Sequence, residues 1–181
     1  SYGGAAQTSR NAANGGTLMQ TFTDQTKFRP SGAPPITIGS ITTMITLRKA
    51  IANGTAQPDE IAEFERESAT RQEAVDSALG HTVEQVIEHR NDKLFIMAMW
   101  GPLYKLAEEV RNRGYSAKDF HPENGVFLGG GLKRAQVPAN YKEYIYETFN
   151  LHPRFTYQMY GMQETQTSMP RCQAGRYHIP A

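Results

Sequence analysis

Cysteine is nearly absent from this chain: of 181 residues only Cys172 carries a thiol, so no internal disulfide can form and nothing calls for an oxidising compartment. Charge of one sign is not in excess either. Nineteen Lys and Arg face eighteen Asp and Glu, a formal net charge of +1. That balance removes the electrostatic argument for a nucleic-acid partner or a polybasic membrane-surface protein. Long apolar runs are missing as well. The longest, Leu94 to Trp100, falls far short of the roughly 20 residues that span a bilayer. No basic segment followed by an apolar stretch opens the chain, so no secretory signal is visible. The expectation is a cytoplasmic protein with no membrane span. The start at Ser1-Tyr2-Gly3-Gly4, without Met, and the end at Ile179-Pro180-Ala181 read as those of a processed chain or an excised piece, and a piece can carry half of a binding site.

What is present is organised unevenly. Ser1 to Asn14 is small and polar, a weak helix or a loop; Thr17 to Phe22 is β-rich and reads as a strand. Pro30, Gly32, Pro34 and Pro35 make Thr23 to Pro35 a loop or linker. Ile36 to Ala52 suits a helix face through Ile41, Met44, Ile45 and Leu47, although its β-branched content also allows a strand; Asn53-Gly54 closes it as a C-cap would. Pro58-Asp59-Glu60 opens a charged helix, read as solvated over Asp59 to Leu79. Gly80 then breaks the chain, and Thr82 with Gln85 forms a capping box for a second helix.

The pattern beyond Gly80 is more regular. Lys93 to Trp100 is a near-continuous apolar strand, of the kind buried on both faces of a parallel sheet. Gly101-Pro102 begins a helix that ends at Gly114. A short strand, Gly125 to Leu128, runs into three glycines. Pro138 begins the next helix, with Tyr141, Tyr144, Ile145 and Phe149 inward, and Phe155 to Met159 is the next strand. This succession predicts an α/β fold, a mainly parallel sheet flanked by helices and joined by right-handed crossovers.

Ligands in such sheets gather at the carboxyl ends of strands. Three ends carry glycine where a backbone can approach a flat ligand: Trp100-Gly101, Gly129-Gly130-Gly131, and Tyr160-Gly161. Other chemistry finds less support. Cys172 and His178 are two potential metal ligands, and two are not a site. His121 and His152 sit beside prolines with no partner at a recognisable spacing. No serine lies in a Gly-x-Ser-x-Gly elbow.

These residues resemble the adenylate-forming superfamily of acyl-CoA and aryl-CoA synthetases, peptide-synthetase adenylation domains and firefly luciferase. The succession Gly129-Gly130-Gly131-Leu132, a helix from Pro138, then Tyr160-Gly161-Met162-Gln163-Glu164 is similar to that family's Gly-Gly-x-x-Leu loop, helix and Tyr-Gly-x-Thr-Glu element. Gly101-Pro102-Leu103-Tyr104-Lys105-Leu106 resembles the segment leading to its acyl pocket. Tyr2-Gly3-Gly4 and Gly15-Gly16-Thr17-Leu18 are similar to its aromatic-glycine and Gly-Gly-strand elements. The likeness runs over Gly80 to Thr165, thins over Ser1 to Phe22 and stops over Thr23 to Leu79, which reads as an insertion within one incomplete domain spanning 1–181. It is nearest to phenylacetate–CoA ligase-like and luminescence acyl-protein synthetase-like members.

The resemblance implies one lobe of the large domain of an enzyme that joins a carboxylate to ATP, giving acyl-AMP, then passes the acyl group to a thiol such as that of coenzyme A. Tyr160 would lie against adenine, with Gly161 beside it. Gly129, Gly130 and Gly131 would wall the adenine and acyl pockets. Gln163 would stand at the α-phosphate, where the family has Thr. Glu164 would ligate Mg²⁺ bridging the ATP phosphates. Trp100 and Gly101 would shape the acyl end. Plainer alternatives are a core-edge Tyr160, a solvated Glu164 and a core Trp100. The family's phosphate loop is expected upstream of Tyr2, and its ribose-binding Asp, hinge and catalytic Lys beyond Ala181, so the isolated chain is expected to be inactive without the remainder of the parent polypeptide. A non-enzymatic scaffold module on the same framework is the competing class, with a nucleotide-binding regulatory domain as a third.

Overall fold

A computed structural model describes residues 25–34, 38–129, 131–132, 135–162 and 167–179. The chain divides into two compact units, with a boundary between Gly80 and His81. The described part of the stretch read as an insertion, 23–79, falls mostly in one unit. The strand expected over Thr17 to Phe22 lies outside the described residues.

That unit is helical. Helix α1 covers Ile38–Ala52, which decides between helix and strand there. It stops where the sequence predicts: the Asn53 N–H donates to the Lys49 carbonyl at 3.0 Å, and Gly54 takes the left-handed φ of 67° that releases the chain. Helix α2 is Pro58–Glu88, 31 residues without a break, and its residues from His81 onward belong to the other unit. Proline occupies its first position, where a missing N–H costs nothing. Glu60 reaches back to accept the Gln57 N–H at 3.0 Å. The predicted break at Gly80 and the new cap at Thr82 do not occur. A helix-interior glycine costs about 1 kcal/mol relative to alanine, and the good helix formers on either side carry the helix through it.

The other unit holds the α/β architecture. Strands β1 (Phe95–Ala98), β2 (Asn124–Gly129), β3 (Leu151–Met162) and β4 (Thr167–Pro170) form one sheet in that order. The first three are parallel and β4 is antiparallel to β3. Helix α3 (Trp100–Asn112) joins β1 to β2, and α4 (Tyr141–Phe149) joins β2 to β3. Crossovers of one hand between strands laid down in order put both helices on one face, and they pack side by side. The Trp100 and Tyr141 rings meet edge-on at 5.3 Å, and Arg111 Nε donates to Thr148 Oγ1 at 2.7 Å.

Under these helices lie Ile96, Ala98, Val126 and Leu128 from the strands, with Leu103, Leu106, Val110, Ile145 and Phe149 from the helices, all buried. Burial alternates along β1. Phe95 and Met97 on the opposite face are half-buried, so the run is not sealed on both faces as its continuous apolar character suggests. The strand is also shorter than expected, because Trp100 already belongs to α3.

A buried amide fixes the register at the amino ends. Asn124 accepts the Leu94 N–H through Oδ1 at 2.7 Å and donates from Nδ2 to the Phe149 carbonyl at 2.9 Å. Just beyond it the β2–β3 pairing slips: Asn124 stands opposite Leu151 and Val126 opposite Thr156. Pro153, which has no N–H for the ladder, lies in the looped-out part of β3.

Candidate functional site at the carboxyl edge of the sheet

Because β1, β2 and β3 are parallel, their carboxyl ends share one edge, and the sequence-derived candidates gather along it. Gly129 is the last residue of β2 and stands opposite Met159 of β3. Tyr160 is the next residue on β3, so the structure brings the glycine loop and the tyrosine onto adjacent strands. The Tyr160 ring is 42% exposed and not part of the core. Gly161 follows it, paired with Ser168. Strand β3 thus runs on through Tyr160-Gly161-Met162 into an antiparallel hairpin with β4 and does not end at Met159. Gly130, Gln163 and Glu164 lie outside the described residues.

The glycines of this edge differ in what requires them. A Cβ built on Gly129 or on Gly131 would meet no atom within 4 Å, and neither has a left-handed φ. Neither backbone conformation nor packing among the described residues asks for glycine at these two positions. At Gly101 packing does ask for it: a Cβ there would stand 2.7 Å from Ala135 Cβ. Gly101 lies in the first turn of α3, not in a loop after a strand, and its missing side chain admits the segment that descends from the glycine loop.

Trp100 is 4% exposed. Its indole is enclosed by the edge-on Tyr141 ring, with Lys142 Nζ 5.4 Å from its centroid. Burial, and secondarily the Glu143 carboxylate, pushes the Tyr141 phenol above its ordinary pKa. Core packing therefore accounts for Trp100 without a ligand.

The only thiol and His178 lie on the same tight turn. Beyond β4, Arg171 bridges to Tyr177 across a tight turn. There Cys172 N–H donates to the Arg176 carbonyl at 2.9 Å, and Gly175 takes a φ of 80°. The turn brings His178 to Cys172. Their hydrogen bond, helped by the backbone N–H groups of Arg176 and Ala174, lowers the thiol to a pKa of about 7. Among the described residues no three His, Cys, Asp or Glu side chains are grouped to hold a metal ion, so the pair remains a pair. Among the same residues no helix is long and apolar enough to cross a membrane.

Sequence reasoning overlooked Tyr177. Its ring lies 5.9 Å from that of Tyr160. The available signal was Gly175, a residue type that commonly closes a hairpin and turns the following chain back along β4.

No protein-family model, no curated protein and no solved structure matches this chain.

Proposed function

We propose that this chain is part of an ATP-dependent ligase that forms an acyl-adenylate from a carboxylate and transfers the acyl group to a thiol such as coenzyme A. The observation that carries the reading is an exposed Tyr160 at the carboxyl edge of the sheet, on the strand adjacent to the one that ends at Gly129. Glycine in a strand weakens it, so a strand end that keeps glycine without conformational or packing need suits one where a ligand lies against the backbone. An aromatic face beside it suits a purine, since stacking needs no specific hydrogen bonds.

On this reading Tyr160 and Gly161 take the adenine side of ATP or AMP, and Gly129, Gly130 and Gly131 form the wall between adenine and acyl group. Gln163 donates an amide N–H toward the α-phosphate. Glu164 is the Mg²⁺ ligand, a role resting on the resemblance alone. Trp100 and Gly101 back the acyl end from within the core. Attack of the carboxylate on the α-phosphorus builds charge that cations and amides must stabilise, and most of those groups belong to the rest of the parent protein.

Carboxylate-dependent exchange of pyrophosphate into ATP tests this. The full-length protein should catalyse it, and Tyr160→Ala and Glu164→Ala should each depress it. Residues 1–181 alone should show no exchange above a Glu164→Ala control. A full-length protein with no exchange for any carboxylate tried, or with exchange untouched by both substitutions, would reject the reading.

A further inference from the structure

The hairpin beyond Tyr160 presents a second ring. Tyr160 stands opposite Met169 in the β3–β4 ladder. One row back, the Arg171 N–H donates to the Gln158 carbonyl at 2.8 Å, and Arg171 in turn bridges to Tyr177. Directly opposed residues point to the same side of a sheet, as do residues two apart along a strand. Gln158, Tyr160, Met169, Arg171 and Tyr177 therefore share one face. The two rings meet across β4 at 5.9 Å between centroids and 60° between planes, an angular corner, and Tyr177, like Tyr160, is 42% exposed. The Arg171 guanidinium, on the same face, is held by the Gly175 carbonyl at 3.1 Å and Gln158 Oε1 at 3.3 Å. It sets a fixed positive charge beside the corner.

We propose that Tyr177 is a second purine-binding residue, forming with Tyr160 a two-ring corner that holds the base of an adenine nucleotide. The proposal rests on the adenylate-forming reading and adds a residue to its nucleotide site. A purine laid on one ring meets the edge of the other, and both contacts are indifferent to the base's hydrogen-bonding pattern. The guanidinium of Arg171 suits the phosphate of the same ligand.

Titration of the chain with AMP, followed by the tyrosine ring resonances and by calorimetry, tests it. Tyr160→Ala and Tyr177→Ala should each weaken AMP binding by about tenfold, the scale of one lost stacking contact. Tyr177→Phe keeps the ring and should bind as the parent does. Tyr177→Leu keeps an apolar contact for the hairpin but no aromatic face, so it should retain the parent's thermal midpoint and still lose affinity. Tyr157→Ala, on the opposite face of β3, is the control and should leave binding unchanged.

If Tyr160→Ala weakens binding while Tyr177→Leu and Tyr177→Ala leave it intact, Tyr177 only braces the hairpin and the proposal fails, with the functional reading untouched. If the parent chain does not bind AMP, or binds it indifferently to Tyr160→Ala, the functional reading fails and takes the proposal with it.

Discussion

Gly101 in the first turn of α3 and Ala135 in the segment after the glycine loop approach so closely that a methyl group on the glycine would stand 2.7 Å from the alanine Cβ. Real side chains do not sit at that distance, so Gly101→Ala must push the loop away from the helix. Alanine's helix preference offsets about 1 kcal/mol of this. Overpacking a tight contact typically costs about 1–3 kcal/mol, so the net change should be a loss, read as a lower urea midpoint. The double variant Gly101→Ala/Ala135→Gly reopens the space and should recover most of it. A single variant as stable as the parent would show that the loop yields freely.

The sequence made the parallel core legible because its signals there are local and agree with one another. Gly114 closes α3 with a φ of 87°, and strand, helix and strand follow at βαβ spacing. It misled where one residue type has two uses. Gly80 reads as a break but lies inside α2. Gly101 reads as a loop glycine after a strand but lies in the first turn of α3, where it makes room for Ala135. Trp100 reads as the end of a strand but opens a helix, since an apolar run cannot say where its period changes from 2 to 3.6. For the Tyr160–Tyr177 corner Gly175 marks the turn, but the register that sets the two rings side by side depends on β4 pairing that no local pattern specifies.

The unbroken course of α2 through Gly80 makes its own prediction. Gly80 lies in a regular helix, and a Cβ there would meet nothing within 4 Å. Gly80→Ala should therefore stabilise the protein by about 1 kcal/mol, through both helix propensity and a less flexible unfolded chain. Chemical denaturation monitored at 222 nm, a helix-sensitive wavelength, measures it. A variant less stable than the parent would contradict a continuous helix at this position.

Asn124 is fully buried and satisfies two backbone groups at once, the Leu94 N–H and the Phe149 carbonyl. Asn124→Ala removes both partners and opens a small cavity between β1 and the end of α4. An orphaned buried group costs about 1–3 kcal/mol, and two are created here, so this variant should be among the most destabilising single changes in the α/β unit. Asn124→Asp separates the two roles: it retains an acceptor for Leu94 but loses the donor and brings a charge into the core. It should be destabilised at neutral pH and recover in part on acidification, when a protonated carboxyl can donate to Phe149. If unfolding of Asn124→Ala matches the parent, water replaces the amide and the pin is dispensable.

The Cys172 thiol predicts a pH dependence of reactivity. Its pKa of about 7 comes first from His178, then from the N–H groups of Arg176 and Ala174. The thiolate is the reactive form, so alkylation by iodoacetamide should accelerate as pH rises through about 7 and level off above it. His178→Ala deletes the largest of these influences while leaving the backbone donors in place. The same acceleration should then move toward the ~8.5 of an ordinary thiol, and at neutral pH the variant should be alkylated more slowly than the parent. A stopped-flow pH–rate profile for both proteins decides it. Identical profiles would mean that the backbone N–H groups alone hold the thiolate and that His178 only touches it.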